Sequence, residues 1–140
     1  MYKTYKRDID FVNSCMSVYH ECRLAGENPD RRRIVTLALR RGAPSFYLSY
    51  TYLASCDALR RRNIRKTAAP VLQQNLAGRR MADIAGRILE LLDSKKEKSI
   101  GRALQRVLEG PAPRYYLSTS TGLKIFGRFT THNSSISLLK

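Results

Sequence analysis

Clusters of arginine are the residues in this sequence whose type and spacing could do chemistry, and that chemistry is the binding of anions. The segment RRRNIRK at 60–66 has five cationic residues out of seven, and RRR at 31–33 with the pair Arg40 and Arg41 adds five more. A planar guanidinium group binds phosphate or carboxylate through two parallel hydrogen bonds. Because these segments flank one short stretch of chain, we expect them to converge and to clamp a phosphate backbone.

The overall charge favours a polyanionic partner. The 140 residues include 26 Lys and Arg against 11 Asp and Glu, which gives a net charge of +15. Such a charge attracts nucleic acid over a range set by the Debye length, about 8 Å at physiological salt. We predict a protein that binds DNA or RNA through phosphate contacts with low sequence specificity. The main alternative is an adaptor that docks on an acidic protein, and the plainest is a charged surface that serves solubility.

Arg114 and two aromatic rings complete the predicted binding set. Tyr47 and Tyr116 are the best candidates for exposed rings that could stack on bases beside the cations. The predicted nucleic-acid-binding residues are Arg31, Arg32, Arg33, Arg40, Arg41, Arg60, Arg61, Arg62, Arg65, Lys66, Arg114, Tyr47 and Tyr116.

Catalytic and metal-binding signals are weak by comparison. His20 and Arg23 match the HxxR pattern of tyrosine recombinases, and His20 with His132 could be the acid and base of a small nuclease. Cys15 and Cys22 share a helical face but lack the further ligands that a tetrahedral zinc needs, so they are interpreted as core residues. The sequence predicts no enzyme activity, with a small nuclease as the third alternative, and no metal or cofactor.

A repeated phrase organises the elements that must position these side chains. APSFYLS at 43–49 returns as APRYYLS at 112–118, with five of seven residues identical. At each copy a helix ends before the phrase, proline prevents its continuation, and the final serine can cap the next helix. The pattern predicts two related halves, at about 31–62 and 100–128, each built as helix, short strand and helix.

The predicted fold class is therefore mostly α with a minor β component. The residues at 46–48 and 115–117 are aromatic or apolar and favour short strands. These strands either pair antiparallel around a pseudo-twofold axis or serve as stiff connectors between helices.

Capping and periodicity predict the remaining boundaries. Gly26 ends a helix at 8–25, and Asn28 caps the helix that follows. A helix at about 70–92 joins the halves, and apolar residues recur along one of its faces. The segment 130–140 is polar and predicts a flexible tail, and the length of the chain is typical of one domain.

The helix–Gly–Ala-Pro-x-aromatic-Tyr-Leu-Ser pattern, over roughly 31–62 and 79–128, resembles a group of small basic proteins from gut bacteria. These carry phrases of the form AP-x-[FY]-Y-L-S. The resemblance implies a bacterial, cytoplasmic setting and brings no known activity. The sequence has only three cysteines and no signal peptide, which predicts a reducing compartment. It has no apolar run of about 18 residues, which predicts no membrane partner.

Overall fold

Seven α-helices and one 3₁₀ turn make up the regular structure in the computed structural model, which describes residues 2–69 and 74–132. The 3₁₀ turn lies at Asp57–Leu59. The helices are α1 Tyr2–Leu24, α2 Arg31–Leu39, α3 Tyr50–Ala54, α4 Ile64–Ala68, α5 Leu76–Asp93, α6 Ile100–Glu109 and α7 Thr119–His132. Within this part of the chain, no helix has the length and apolar character needed to cross a bilayer.

Serine side chains begin three of the helices, as the sequence predicts. Ser49, Ser99 and Ser118 each accept a hydrogen bond from the backbone N–H three residues later, at 3.1, 3.2 and 3.1 Å. Each bond satisfies an N–H group that has no partner inside its helix. The starts of α3, α6 and α7 are therefore set by local chemistry.

The start of α2 differs from the prediction because Asp30, and not Asn28, caps it. The Asp30 carboxylate accepts from the Arg33 N–H at 2.8 Å. A charged acceptor suits the positive end of a helix better than an amide does. Asn28 instead accepts from the Arg23 guanidinium at 3.3 Å, and Pro29 precedes the helix.

The second helix of the first half was predicted to follow Ser49 and to run to about residue 62, and this is wrong because α3 ends at Ala54. The Ser55 hydroxyl donates to the Tyr52 carbonyl at 2.7 Å and so takes up an acceptor of the last turn. Side chains that bond nearby backbone in this way compete with helix propagation. The arginines at 60–62 consequently lie in turns between the 3₁₀ turn and α4 rather than on a helix end.

The joining helix, α5, starts later than predicted. Asn75 caps it by accepting from the Gly78 N–H at 2.7 Å, so the helix begins at Leu76 and not at Pro70. Residues 70–73 lie outside the described part of the chain.

The last helix extends into the segment predicted to be a tail. Thr130 is fully buried and donates to the Gly127 carbonyl at 2.9 Å. The prediction of a tail from residue 130 is therefore wrong at its start, and residues 133–140 lie outside the described part.

The predicted β component is also wrong. The described residues contain no strand, and the repeated phrases meet only at an isolated antiparallel bridge, with N–O distances of 2.9 and 2.8 Å between Ala43 and Ala112. Tyr47 and Tyr116 have φ angles of 59° and 58°. A strand needs φ near −120° to −140°, so a left-handed residue in the middle of each triplet prevents extended pairing.

By its contacts, the chain divides into two compact units. Unit 1 is Met1–Pro44 with Ala112–Lys140, and unit 2 is Ser45–Pro111. In unit 1, α1, α2 and α7 pack against one another around Phe11, Ile34 and Phe126, which are at most 1% exposed. A Cβ on Gly122 would stand 2.9 Å from Val35 Cγ1, so glycine lets α7 approach its neighbours closely.

Unit 2 is built from α3 to α6. Its core contains Phe46, Leu53, Ile84, Ile88 and Leu104. The helices α4 and α6 pack on the long helix α5, and α3 packs on α6. The loop between α5 and α6 and the turns before α4 are thereby held on a common scaffold.

Each unit combines one helix from each predicted half. In unit 1, α2 of the first half packs on α7 of the second, and in unit 2, α6 of the second half packs on α3 of the first. Equivalent positions share their conformation, since Tyr47 and Tyr116 are both left-handed and Ser49 and Ser118 both cap a helix. The relation between the halves remains a prediction.

Candidate anion-binding site

The predicted cations are divided between the two units. Unit 1 contains the arginines at 31–33, 40, 41 and 114, and unit 2 contains those at 60–62 and 65 together with Lys66.

Two of the predicted arginines of unit 1 are matched by acidic neighbours. Arg41 donates to both carboxylate oxygens of Glu21, at 2.7 and 2.8 Å. These hydrogen bonds lower the pKa of Glu21 and raise the pKa of Arg41. Arg33 bonds Glu27 at 2.9 Å. Both guanidinium groups carry their own counter-charge and are weak candidates for a phosphate contact.

The other four predicted arginines of unit 1 have no ion pair within residues 2–69 and 74–132. Arg32, Arg40 and Arg114 are exposed, and Arg31 is half-buried. They contribute positive surface, but they line neither of the two cavities described below.

A cavity of about 470 Å³ in unit 2 brings cations together with an apolar floor. Its cations come from two parts of the chain, Arg61 and Arg65 around the start of α4, and Lys95 and Lys98 in the loop between α5 and α6. Its other lining residues are Ile64, Leu89, Leu92, Glu97 and Ile100. We call this the cationic cavity.

Three of those four cations are not neutralised. Arg65 bonds Asp93 at 2.9 Å, and this hydrogen bond raises the pKa of Arg65. The carboxylate of Glu97 lies 3.3 Å from the Arg106 guanidinium. The described residues give Arg61, Lys95 and Lys98 no ion pair. The cavity therefore retains an excess of positive charge.

Lys95 occupies a backbone position that favours glycine. After the last turn of α5, the Lys95 N–H donates to the Leu92 carbonyl at 3.1 Å, and the Lys96 N–H donates to the Leu91 carbonyl at 3.0 Å. This is the Schellman motif, and Lys95 takes its left-handed position with φ of 60°. At the end of α1 that position is held by Gly26, as the sequence predicts. A strained residue with a charged side chain in a cavity points to a functional constraint.

A second cavity of about 340 Å³ adjoins the first within unit 2 and shares Arg61 and Ile100 with it. Tyr50, which is 42% exposed, lines this cavity together with Arg60. Its remaining lining residues are Leu53, Ala54, Cys56, Leu59, Gly101 and Leu104. We call it the tyrosine cavity.

A glycine makes room for the Tyr50 ring. A Cβ on Gly101 would lie 3.0 Å from the Tyr50 hydroxyl oxygen. The absence of that atom leaves room for the Tyr50 hydroxyl group at the wall of the tyrosine cavity. The other cation there, Arg60, bonds Asp57 at 2.8 Å, so Arg61 is again the cation without a counter-charge.

The exposed rings are not the predicted ones. Tyr116 is only 8% exposed and Tyr47 is half-buried, whereas Tyr50 and Tyr52 are 42% and 54% exposed. The prediction for Tyr116 assumed that side chains alternate between two faces, which holds only in an extended strand. Left-handed backbone at its position breaks the alternation.

The partner rings of the two phrases are core residues. Phe46 is buried, with the Arg87 guanidinium 5.4 Å from the centre of its ring. Tyr115 packs edge-on against Phe11 at 5.3 Å, and its hydroxyl lies 2.7 Å from the Ser14 hydroxyl. Desolvation by burial raises the pKa of Tyr115. Neither ring is available to a ligand.

The cysteines and histidines form no reactive arrangement in the described residues. Cys15 and Cys22 are buried, as expected of core residues, and burial raises the pKa of the Cys15 thiol to about 12. His20 is exposed on α1 with its ring 5.5 Å from that of Tyr19. The side chain of His132 lies outside the described part of the chain. Within the described part, no group of three His, Cys, Asp or Glu residues could hold a metal ion.

Comparisons with protein-family models, with curated proteins and with solved structures gave no match to this chain. The resemblance to gut-bacterial proteins thus stays a prediction. Functional conclusions rest on the cationic cavity and the tyrosine cavity.

Proposed function

We propose that this protein binds nucleic acid through its phosphates at the cationic cavity of unit 2. The observation that carries the proposal is the convergence of Arg61, Lys95 and Lys98, from two distant segments, around one concave surface, where none of the three has an ion pair among the described residues. Flexible cations of this kind hold phosphates and give position on a strand, but they carry no information about base sequence. Binding is therefore of low sequence specificity.

The charge around the site supports a polymeric ligand over a small anion. Unit 2 alone contains thirteen Lys and Arg against six Asp and Glu. A long anion gains from every such charge near its path, because each phosphate contact releases condensed counterions. A small anion would use only one or two of these groups.

A salt titration tests the proposal. Binding of a labelled 20-residue oligonucleotide is followed by fluorescence anisotropy between 50 and 300 mM salt, for single-stranded DNA, RNA and duplex DNA. With three phosphate contacts we expect a log–log slope of about −2 on single strands, because each contact contributes about −0.7. A slope near zero on all three ligands would overturn the proposal.

Two charge-matched variants separate the cavity from the general surface. Lys95→Gln with Lys98→Gln removes two cations that line the cationic cavity, and Arg32→Gln with Arg40→Gln removes two exposed cations of unit 1. We expect the first pair to weaken binding and flatten the slope more than the second. Equal effects would mean that only net charge matters, and tighter binding of an acidic peptide than of any nucleic acid would assign the cavity to an acidic protein.

A further inference from the structure

We infer that the ligand is an unpaired strand, with phosphates on the cationic cavity and one base stacked on Tyr50 in the tyrosine cavity. This inference rests on the proposed function and adds the strandedness of the nucleic acid and the residue that senses it.

The first step is the adjacency of the two cavities within unit 2. They share Arg61 and Ile100, so a phosphate held by Arg61 lies at the boundary between them. Lys95 and Lys98 line only the first cavity and Tyr50 lines only the second, so a strand that continues from that phosphate in both directions would meet the lysines in one cavity and the ring in the other. Both backbone and base can thus be contacted by one short stretch of ligand.

The second step is the apolar floor. Leu89 and Leu92, which are half-buried, line the cationic cavity with Ile64, whereas the leucines of the tyrosine cavity are at most 3% exposed. A duplex hides its base faces inside the stack and presents sugars and phosphates, which gain nothing from apolar surface. An unpaired strand offers base faces that can cover such a surface, so the floor fits unpaired bases better than paired ones.

The third step is the Tyr50 ring itself. It is 42% exposed, it lines the same cavity as Arg60 and Arg61, and Gly101 leaves room for its hydroxyl group. Aromatic rings next to cations form the stacking surfaces on which proteins hold single strands without sequence preference. Its neighbour Tyr52 lies in the same helix and is 54% exposed, but it lines neither cavity.

The experiment compares Tyr50→Leu with the matched control Tyr52→Leu. Both variants and the unaltered protein are titrated with an oligothymidylate strand and with a duplex of the same length at one salt concentration. For the single strand we expect Tyr50→Leu to weaken binding by about 5- to 150-fold, the loss of one stacked base. We expect Tyr52→Leu to change it by less than about twofold, and duplex binding to be the same in all three.

A measurement on the ligand side keeps the test independent of how the variants fold. An abasic strand of equal length keeps every phosphate and removes every base, so we expect the unaltered protein to bind it less tightly than oligothymidylate. Equal affinities, or a Tyr50→Leu variant that binds the single strand as the Tyr52→Leu control does, would overturn the inference. The proposed function would then still stand if binding kept its salt slope, whereas a slope near zero on every ligand would remove both.

Discussion

Replacing Lys95 by glycine should stabilise the protein while weakening its ligand binding. Lys95 holds the left-handed position of a Schellman motif at φ of 60°. A left-handed backbone costs an L-residue about 1–2 kcal/mol. Glycine removes this strain, but its freedom in the unfolded chain takes back about 0.5–1 kcal/mol. We expect Lys95→Gly to raise the free energy of unfolding by up to about 1.5 kcal/mol.

Lys96→Gly is the matched control. It removes the same charge one residue further on, where the backbone is not left-handed and the side chain does not line the cationic cavity. There glycine only adds freedom to the unfolded chain, so stability should fall by about 0.4–1 kcal/mol. Urea unfolding followed by circular dichroism measures both changes as shifts in the midpoint.

Lys95→Gly should weaken ligand binding more than Lys96→Gly, although it is expected to be the more stable variant. Loss of the Lys95 phosphate contact should reduce the magnitude of the salt slope on a single strand by about 0.7, and Lys96→Gly should change it less. The assay is the same anisotropy titration. If Lys95→Gly destabilises the fold, the backbone at Lys95 is not strained. If it leaves the salt slope of binding unchanged, Lys95 does not hold a phosphate.

Two further predictions concern the cores. Gly122→Ala should destabilise unit 1 by up to about 2 kcal/mol in urea unfolding, because overpacking against Val35 and Phe11 costs about 1–3 kcal/mol and helix propensity returns about 1 kcal/mol. The control Gly86→Ala, where a Cβ would have nothing within 4 Å, should stabilise the protein by about 1 kcal/mol. Equal effects of the two substitutions would refute the close approach of α7 to its neighbours at Gly122. Burial raises the pKa of the Cys15 thiol to about 12 and so favours the neutral thiol in the folded state. The contribution of this shift to the free energy of unfolding is complete below about pH 9 and is lost as pH rises toward 12. Unfolding free energies between pH 8 and 11 should therefore fall more steeply for the unaltered protein than for Cys15→Ala, and parallel curves would contradict the assignment.

Helix ends were predictable where the chemistry is local. Ser49, Ser99, Ser118 and Gly26 each act on backbone groups within a few residues, so the type of residue and the flanking pattern are enough. The start of α2 was missed by two residues because two good capping residues compete there, and a sequence does not say which one wins.

The conformation of the repeated phrases was not predictable from their residues. Neither Tyr47 nor Tyr116 is of a type that favours left-handed backbone, and β-favouring neighbours indicated strands. In the second phrase Tyr115, Tyr116 and Leu117 are all buried in succession. The first phrase has the same left-handed backbone although Tyr47 is only half-buried, so no pattern within the seven residues reveals it.

The candidate site was predicted in part. Arg61 and Arg65 belong to the predicted set and line the cationic cavity, but Lys95 and Lys98 were missed because their approach depends on the packing of α4 and α6 against α5. A signal did exist, since α5 ends in a charged loop without the usual glycine. The pairing of Arg65 with Asp93, 28 positions away, was hidden for the same reason.

The order in which the chain is synthesised gives the division into units a kinetic consequence. Unit 2 is one continuous segment, complete once Pro111 has left the ribosome, whereas unit 1 waits for α7 to close on α1 and α2 across most of the sequence. Closure over such a long loop is entropically costly and is generally slow. Nascent chains should therefore acquire the surface that carries the two cavities first, while the apolar faces of α1 and α2 remain without their third helix until α7 has been synthesised.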